Sequence, residues 1–169
     1  VVGYASFAFS TGDLRYEAEH GKRLLRVARA ALSSALGRDA KTPTPRAAEE
    51  PWLSERRASF VTLTIEGELR GCCGTLEPVR PLLLDVWINA EASAFRDPRF
   101  PPLTAREWGW SSLEVSLLTP CEPMAVSSEQ QLLLDLVPGR DGLVLEWRGM
   151  RATFLPKVWQ TIPDPREFL

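Results

Sequence analysis

Histidine is almost missing from this sequence of 169 residues, with His20 standing alone. Any cysteine–histidine dyad would have to recruit that one residue, which the pattern places at the exposed start of the first helix. Cysteine is scarce and odd in number, Cys72, Cys73 and Cys121, with no Cys-x-x-Cys pair. That count excludes the disulfide framework of small secreted domains and the ligand sets of structural zinc or iron–sulfur clusters. No cofactor is implied, an ion held by carboxylates alone stays open, and the cytoplasm is the expected compartment. Neither sign of charge dominates: 20 basic and 22 acidic residues leave a net charge of -2, with no stripe of Lys and Arg among aromatics. This argues against a nucleic-acid backbone as partner. The longest apolar run, Leu82 to Ala90, is broken by Asp85 and falls far short of the roughly 20 residues that span a bilayer, so no membrane segment is expected. The usual nucleotide cradles, Gly-x-x-x-x-Gly-Lys-Ser/Thr and Gly-x-Gly-x-x-Gly, are missing too. Val1 to Phe9 is apolar but lacks the basic region and cleavage pattern of a signal peptide, and the missing initiator Met reads as a trimmed chain.

What is present suits one folded domain, with an apolar share of 44% and a charged share of 25%. From Glu17 to Leu36, Leu24, Ala28, Ala31, Leu32 and Ala35 recur at helical spacing, and Gly37 is placed to end the helix. Three prolines make residues 40–51 a loop or connection. Ser59 to Ile65 and Leu69 to Leu76 read as a β-hairpin across Glu66-Gly67. A helix over Pro81 to Phe95 should carry Leu82, Val86, Ala90 and Ala94 on one side, and Thr104 with Glu107 matches a capping box. Leu113 to Leu118 is a predicted strand, Ser128 to Leu136 a helix, and Leu143 to Leu155 a second hairpin. Interspersed elements without regular βαβ spacing indicate an α+β fold with an antiparallel sheet.

The segment Arg70-Gly71-Cys72-Cys73-Gly74 concentrates the chemistry. On a regular strand Leu69, Gly71 and Cys73 point one way, towards the core, while Arg70, Cys72 and Gly74 point the other. Arg70 and Cys72 would then lie about 7 Å apart, close enough for the guanidinium to favour the Cys72 thiolate. Gly71 and Gly74 remove side-chain bulk, which lets a ligand or another backbone approach. The same residues equally describe two packed cysteines beside a softened bend. A vicinal Cys72–Cys73 disulfide would require local distortion, since the side chains point apart.

Two further groups bear on this site. Leu113, Val115 and Leu117 should face the core, leaving Glu114 and Ser116 on the opposite side as solvated polarity or as a pocket lining shared with Cys72. Asp97 and Arg99 either pair within a proline-rich turn or present charge to a ligand.

Taken together, Phe60-Val61-Thr62-Leu63, Leu69-Arg70-Gly71-Cys72-Cys73-Gly74, Phe95-Arg96-Asp97-Pro98-Arg99-Phe100-Pro101-Pro102-Leu103, Glu114-Val115-Ser116, Asp141-Gly142-Leu143 and Thr153-Phe154-Leu155-Pro156 resemble the AMMECR-type domain family. Its prokaryotic members are named AmmeMemoRadiSam system protein A. The resemblance spans nearly all of residues 20–169 and sets the expected domain at residues 17–169, after an N-terminal extension over residues 1–16. It implies an antiparallel sheet flanked by helices, a smaller second lobe, and a cleft between them near the cysteines. From the system name it implies Memo-type and radical-SAM partners. The family pattern has one cysteine, at Cys72, followed by an aliphatic residue; Cys73 replaces that residue here. Val1 to Phe9 resembles the last strand of Memo-type domains, and the family continues beyond Leu169 with a basic segment. Cys72, as nucleophile or proton donor, Arg70 as its stabiliser, and Glu114 and Asp97 as acid/base groups are the expected catalytic residues. Gly71, Gly74, Arg99 and Ser116 are the expected binding residues for a small molecule not identified by the sequence. The rival expectation is a module that binds a ligand or protein without catalysis.

Overall fold

Helical spacing of apolar residues, alternation of β-branched ones and two tight turns account for most of the architecture. The computed structural model describes residues 3–7, 14–38, 50–118, 122–148 and 150–168. Most of the proline-rich stretch 40–51 and Cys121 lie outside the described residues. The chain divides into two units, Thr11–Leu118 and Val1–Ser10 with Thr119–Leu169. Among the described residues all strand pairs are antiparallel, and mixed with helices they make the fold α+β.

In Thr11–Leu118, helix α1 (Leu14–Ala35) buries Leu24, Val27, Ala28, Ala31 and Leu32 on one side. It ends where Gly37 takes a φ of 66°, with Gly37 N–H donating to the Ser34 carbonyl at 3.0 Å and Arg38 N–H to that of Ser33 at 2.8 Å. The helix starts earlier than its periodicity suggests. His20 therefore sits within it, stacked on Trp52 with ring centroids 3.8 Å apart, and is not an exposed terminal residue.

Strands β2 (Ala58–Ile65) and β3 (Glu68–Gly74) form the expected hairpin. Its two-residue turn uses positive φ at both Glu66 (53°) and Gly67 (87°), as the twist of a tight hairpin demands. Strand β4 (Ser111–Leu118) joins the other side of β2, giving the order β3-β2-β4. Helix α2 (Leu82–Phe95) lays Leu82, Val86, Ala90 and Ala94 against a core that includes Val61 and Leu63 of β2. Gly71 makes close packing against α2 possible, because a Cβ there would collide with the Ser93 carbonyl oxygen.

Asp85, which in the sequence merely interrupts an apolar run, is fully buried. Its carboxylate accepts from the Ser59 N–H at 2.9 Å, the Ser59 hydroxyl at 2.6 Å, the Thr75 hydroxyl at 2.7 Å, Arg80 Nε at 2.7 Å and Asn89 Nδ2 at 2.9 Å. So many donors are what makes burial of a carboxylate tolerable. Helix α3 (Ala105–Trp108) carries the expected capping box between Thr104 and Glu107.

The second unit holds a four-stranded sheet, β5-β1-β6-β7, built from β1 (Gly3–Phe7), β5 (Glu122–Met124), β6 (Gly142–Trp147) and β7 (Met150–Phe154). Gly3–Phe7, inside the stretch read as an extension, lies between β5 and β6. Helix α4 (Glu129–Asp135) begins at Ser128, whose hydroxyl accepts from Gln131 N–H at 3.2 Å. Leu132, Leu136, Leu143 and Trp159 form this unit's core, and Trp159 Nε1 donates to the Asp141 carbonyl at 2.6 Å. Among the described residues no helix is long and apolar enough to cross a membrane.

Candidate functional site

The register of the three-stranded sheet decides which side chains meet. Cys72 lies opposite Thr62 and Cys73 opposite Val61, so the two cysteines face opposite sides; both are free and half-buried. Between Leu63 and Thr64 the register shifts: Gly71 faces Leu63 while Leu69 faces Thr64, leaving Arg70 as the extra residue of a bulge. The bulge overturns the simple alternation expected for this strand. Leu69 joins the Thr62 side and is 42% exposed instead of entering the core.

Arg70 is likewise redirected. Its side chain is nearly buried, and Nε and Nη2 donate to Glu107 Oε1 and Oε2 at 3.0 and 3.3 Å, with Nη2 also 3.4 Å from the Pro102 carbonyl. Arg70 thus stabilises α3, and it is Arg99 that reaches Cys72. The Glu107 carboxyl is held down to about 2, chiefly by Arg70 and then by the Thr104 N–H and hydroxyl. Local sequence showed Glu107 only as a cap, because its partner lies far away in the chain.

Asp97 and Arg99 occupy the open edge of β3. The Cys72 N–H donates to Asp97 Oδ2 at 2.9 Å, and Arg99 Nη2 reaches the Cys72 carbonyl at 3.5 Å. Arg99 also binds Asp97 through Nε at 2.9 Å, Nη2 at 2.7 Å and its own N–H at 3.1 Å. The turn therefore supplies a donor and an acceptor where a fourth strand would otherwise pair. Arg99 beside it, helped by the Cys72 and Arg99 N–H groups, holds the Asp97 carboxyl well below the usual carboxylate range despite burial. The pairing raises Arg99 in turn. Phe100 lies within 5.9 Å of the Arg70 guanidinium and 5.5 Å of that of Arg99.

On the sheet face opposite the core, register aligns two rows. Cys72, Thr62 and Glu114 form one; Gly74, Phe60 and Ser116 form the next. Cys72 and Glu114 are two strand spacings apart, roughly 10 Å. Gly74 is filled by the protein itself, since a Cβ would strike the Phe60 ring. Thr62, not singled out in the sequence, is 7% exposed and brings its hydroxyl to 3.4 Å from Cys72 Sγ. Cys73, on the core side, has its thiol pushed up, first by burial and then by Asp97. Among the described residues no three His, Cys, Asp or Glu side chains gather as a metal set.

A half-buried thiol on an antiparallel sheet, its backbone clasped by an Asp-Pro-Arg turn, characterises this chain. The AMMECR1 family model matches residues 25–169, and the chain belongs to that family. A protein of Thermofilum pendens is 39% identical over 170 residues, covering 92% of this chain and 78% of that one. One from Methanothermobacter thermautotrophicus is 39% identical over 155 residues, covering 89% and 79%. The crystal structure of an uncharacterised protein from Pyrococcus horikoshii is similar with a TM-score of 0.80 and 36% identity, covering 89% of this chain and 76% of that one.

Proposed function

We propose that the chain is a cytoplasmic protein whose Cys72 acts as nucleophile or proton donor in an enzyme system shared with Memo-type and radical-SAM partners. The observation that carries this reading is the setting of Cys72 Sγ: half-buried on the face away from the core, 3.4 Å from the Thr62 hydroxyl, with its own backbone held by Asp97 and Arg99. Fixed geometry around an accessible thiol is what nucleophilic chemistry requires. Glu114, across Thr62 in the same row, exchanges protons with Cys72 through a bridging substrate or water, and the Asp97 carboxylate is held by Arg99 and the Cys72 N–H. The test is the activity of the reconstituted three-protein system with Cys72→Ala and Cys73→Ala. Loss with the first and retention with the second is expected; full activity with Cys72→Ala ends the catalytic reading.

One observation favours a binding module instead: Arg70 is spent on Glu107 and does not accompany the thiol. On that reading Cys72→Ser leaves capture of the Memo-type partner intact, while Arg99→Ala, which removes a half-exposed guanidinium, weakens it at least about tenfold.

A further inference from the structure

We infer that Thr62 is the positioning residue for Cys72: its hydroxyl donates to Cys72 Sγ and favours the thiolate, an assignment that rests on Cys72 being the reacting group. Thr62 belongs to the central strand of its sheet and is 7% exposed. A hydroxyl that deep needs a hydrogen-bond partner, and Cys72 Sγ at 3.4 Å is the one the geometry supplies. The Cys72 N–H points outward to Asp97, so Cys72 and Thr62 form a non-hydrogen-bonded cross-strand pair, the arrangement in which opposing side chains come closest.

The direction of donation follows from chemistry. A hydroxyl is a stronger donor than a thiol, and a thiolate is a stronger acceptor than either, so the bond strengthens when Cys72 loses its proton. Charged groups near the pair are Asp97 and Arg99 on the turn, Arg96 after α2, Glu114 across the sheet, and Arg70 and Cys73 on Cys72's own strand. Asp97 and Arg99 neutralise each other, and Arg70 is neutralised by Glu107. Thr62 is the uncharged group in direct contact with the sulfur, which makes its contribution separable from theirs.

The test is the pH profile of Cys72 alkylation by iodoacetamide, read by mass spectrometry on the full chain, for wild type, Thr62→Val and Thr62→Ser. Valine keeps the shape and removes the hydroxyl; serine keeps the hydroxyl. We expect Thr62→Val to slow Cys72 about three- to tenfold near neutral pH and move the profile to higher pH, with Thr62→Ser close to wild type and Cys73 unchanged. Should the valine variant fail to fold, Thr62→Ala against Thr62→Ser isolates the hydroxyl, since both lack the methyl group. Coincident profiles with and without the hydroxyl overturn the inference while a fast wild-type Cys72 leaves the proposed function standing. A wild-type Cys72 no faster than Cys73 overturns both.

Discussion

At the residue scale, Cys72 and Cys73 are chain neighbours in different surroundings: Cys72 Sγ meets the Thr62 hydroxyl at 3.4 Å, while Cys73 lies on the core side of the sheet. The opposite orientations of Cys72 and Cys73 follow from strand alternation and hold in the structure. The partnership of Arg70 with Cys72 does not, because a bulge at Arg70 breaks the alternation and no composition rule places that bulge. Thr62 was hidden for another reason: its role depends on register between strands. Gly71 is accounted for by packing, so Gly71→Ala should destabilise the protein by about 2 kcal/mol or more in urea unfolding, as backbone against backbone cannot yield like a flexible side chain. The Arg70–Glu107 pair gives a pH dependence. Glu107 ordinarily titrates near 4.5 and is held at about 2 in the fold, so its contribution is present above the unfolded value and is lost as pH falls from about 4.5 towards 2. Urea midpoints of Glu107→Gln and wild type should therefore differ at neutral pH and converge in this acid window.

Elements were easier to read than contacts. Gly37 ends α1, Glu66-Gly67 turns the hairpin, and Thr104 with Glu107 caps α3, each through local chemistry that a sequence states outright. The stripe Leu82, Val86, Ala90 and Ala94 is buried along α2 as its spacing requires. What spacing does not show is that α2 is also fixed by a charge. Asp85 ties that helix to Ser59 at the start of β2 and to Thr75 just beyond β3, residues brought together only by the tertiary fold. Asp85→Ala leaves Arg80 Nε and the Ser59 and Thr75 hydroxyls without their acceptor, and should cost about 3–5 kcal/mol in urea unfolding. A loss below about 1 kcal/mol would show that water replaces the carboxylate.

For the whole molecule, family membership and the α+β class agree with the elements read along the chain, while the division into two units was not marked by any linker-like composition. The turn-rich join Pro138-Gly139-Arg140-Asp141-Gly142, which does not read as a domain boundary, lies within the second unit, where the Asp141 carboxylate accepts from the Val137 N–H at 2.9 Å. The near balance of charge makes one global expectation: filter binding should detect no salt-sensitive affinity for single-stranded RNA, and saturable, salt-sensitive binding would reveal a basic surface the composition conceals. Cys72 is the centre of the proposed chemistry. Its most direct measurement is the alkylation rate of each cysteine in the native protein near neutral pH, separated by mass spectrometry. Cys72 should react at least about tenfold faster than Cys73, whose thiol burial pushes up; equal rates, or a faster Cys73, would contradict a reactive centre at Cys72.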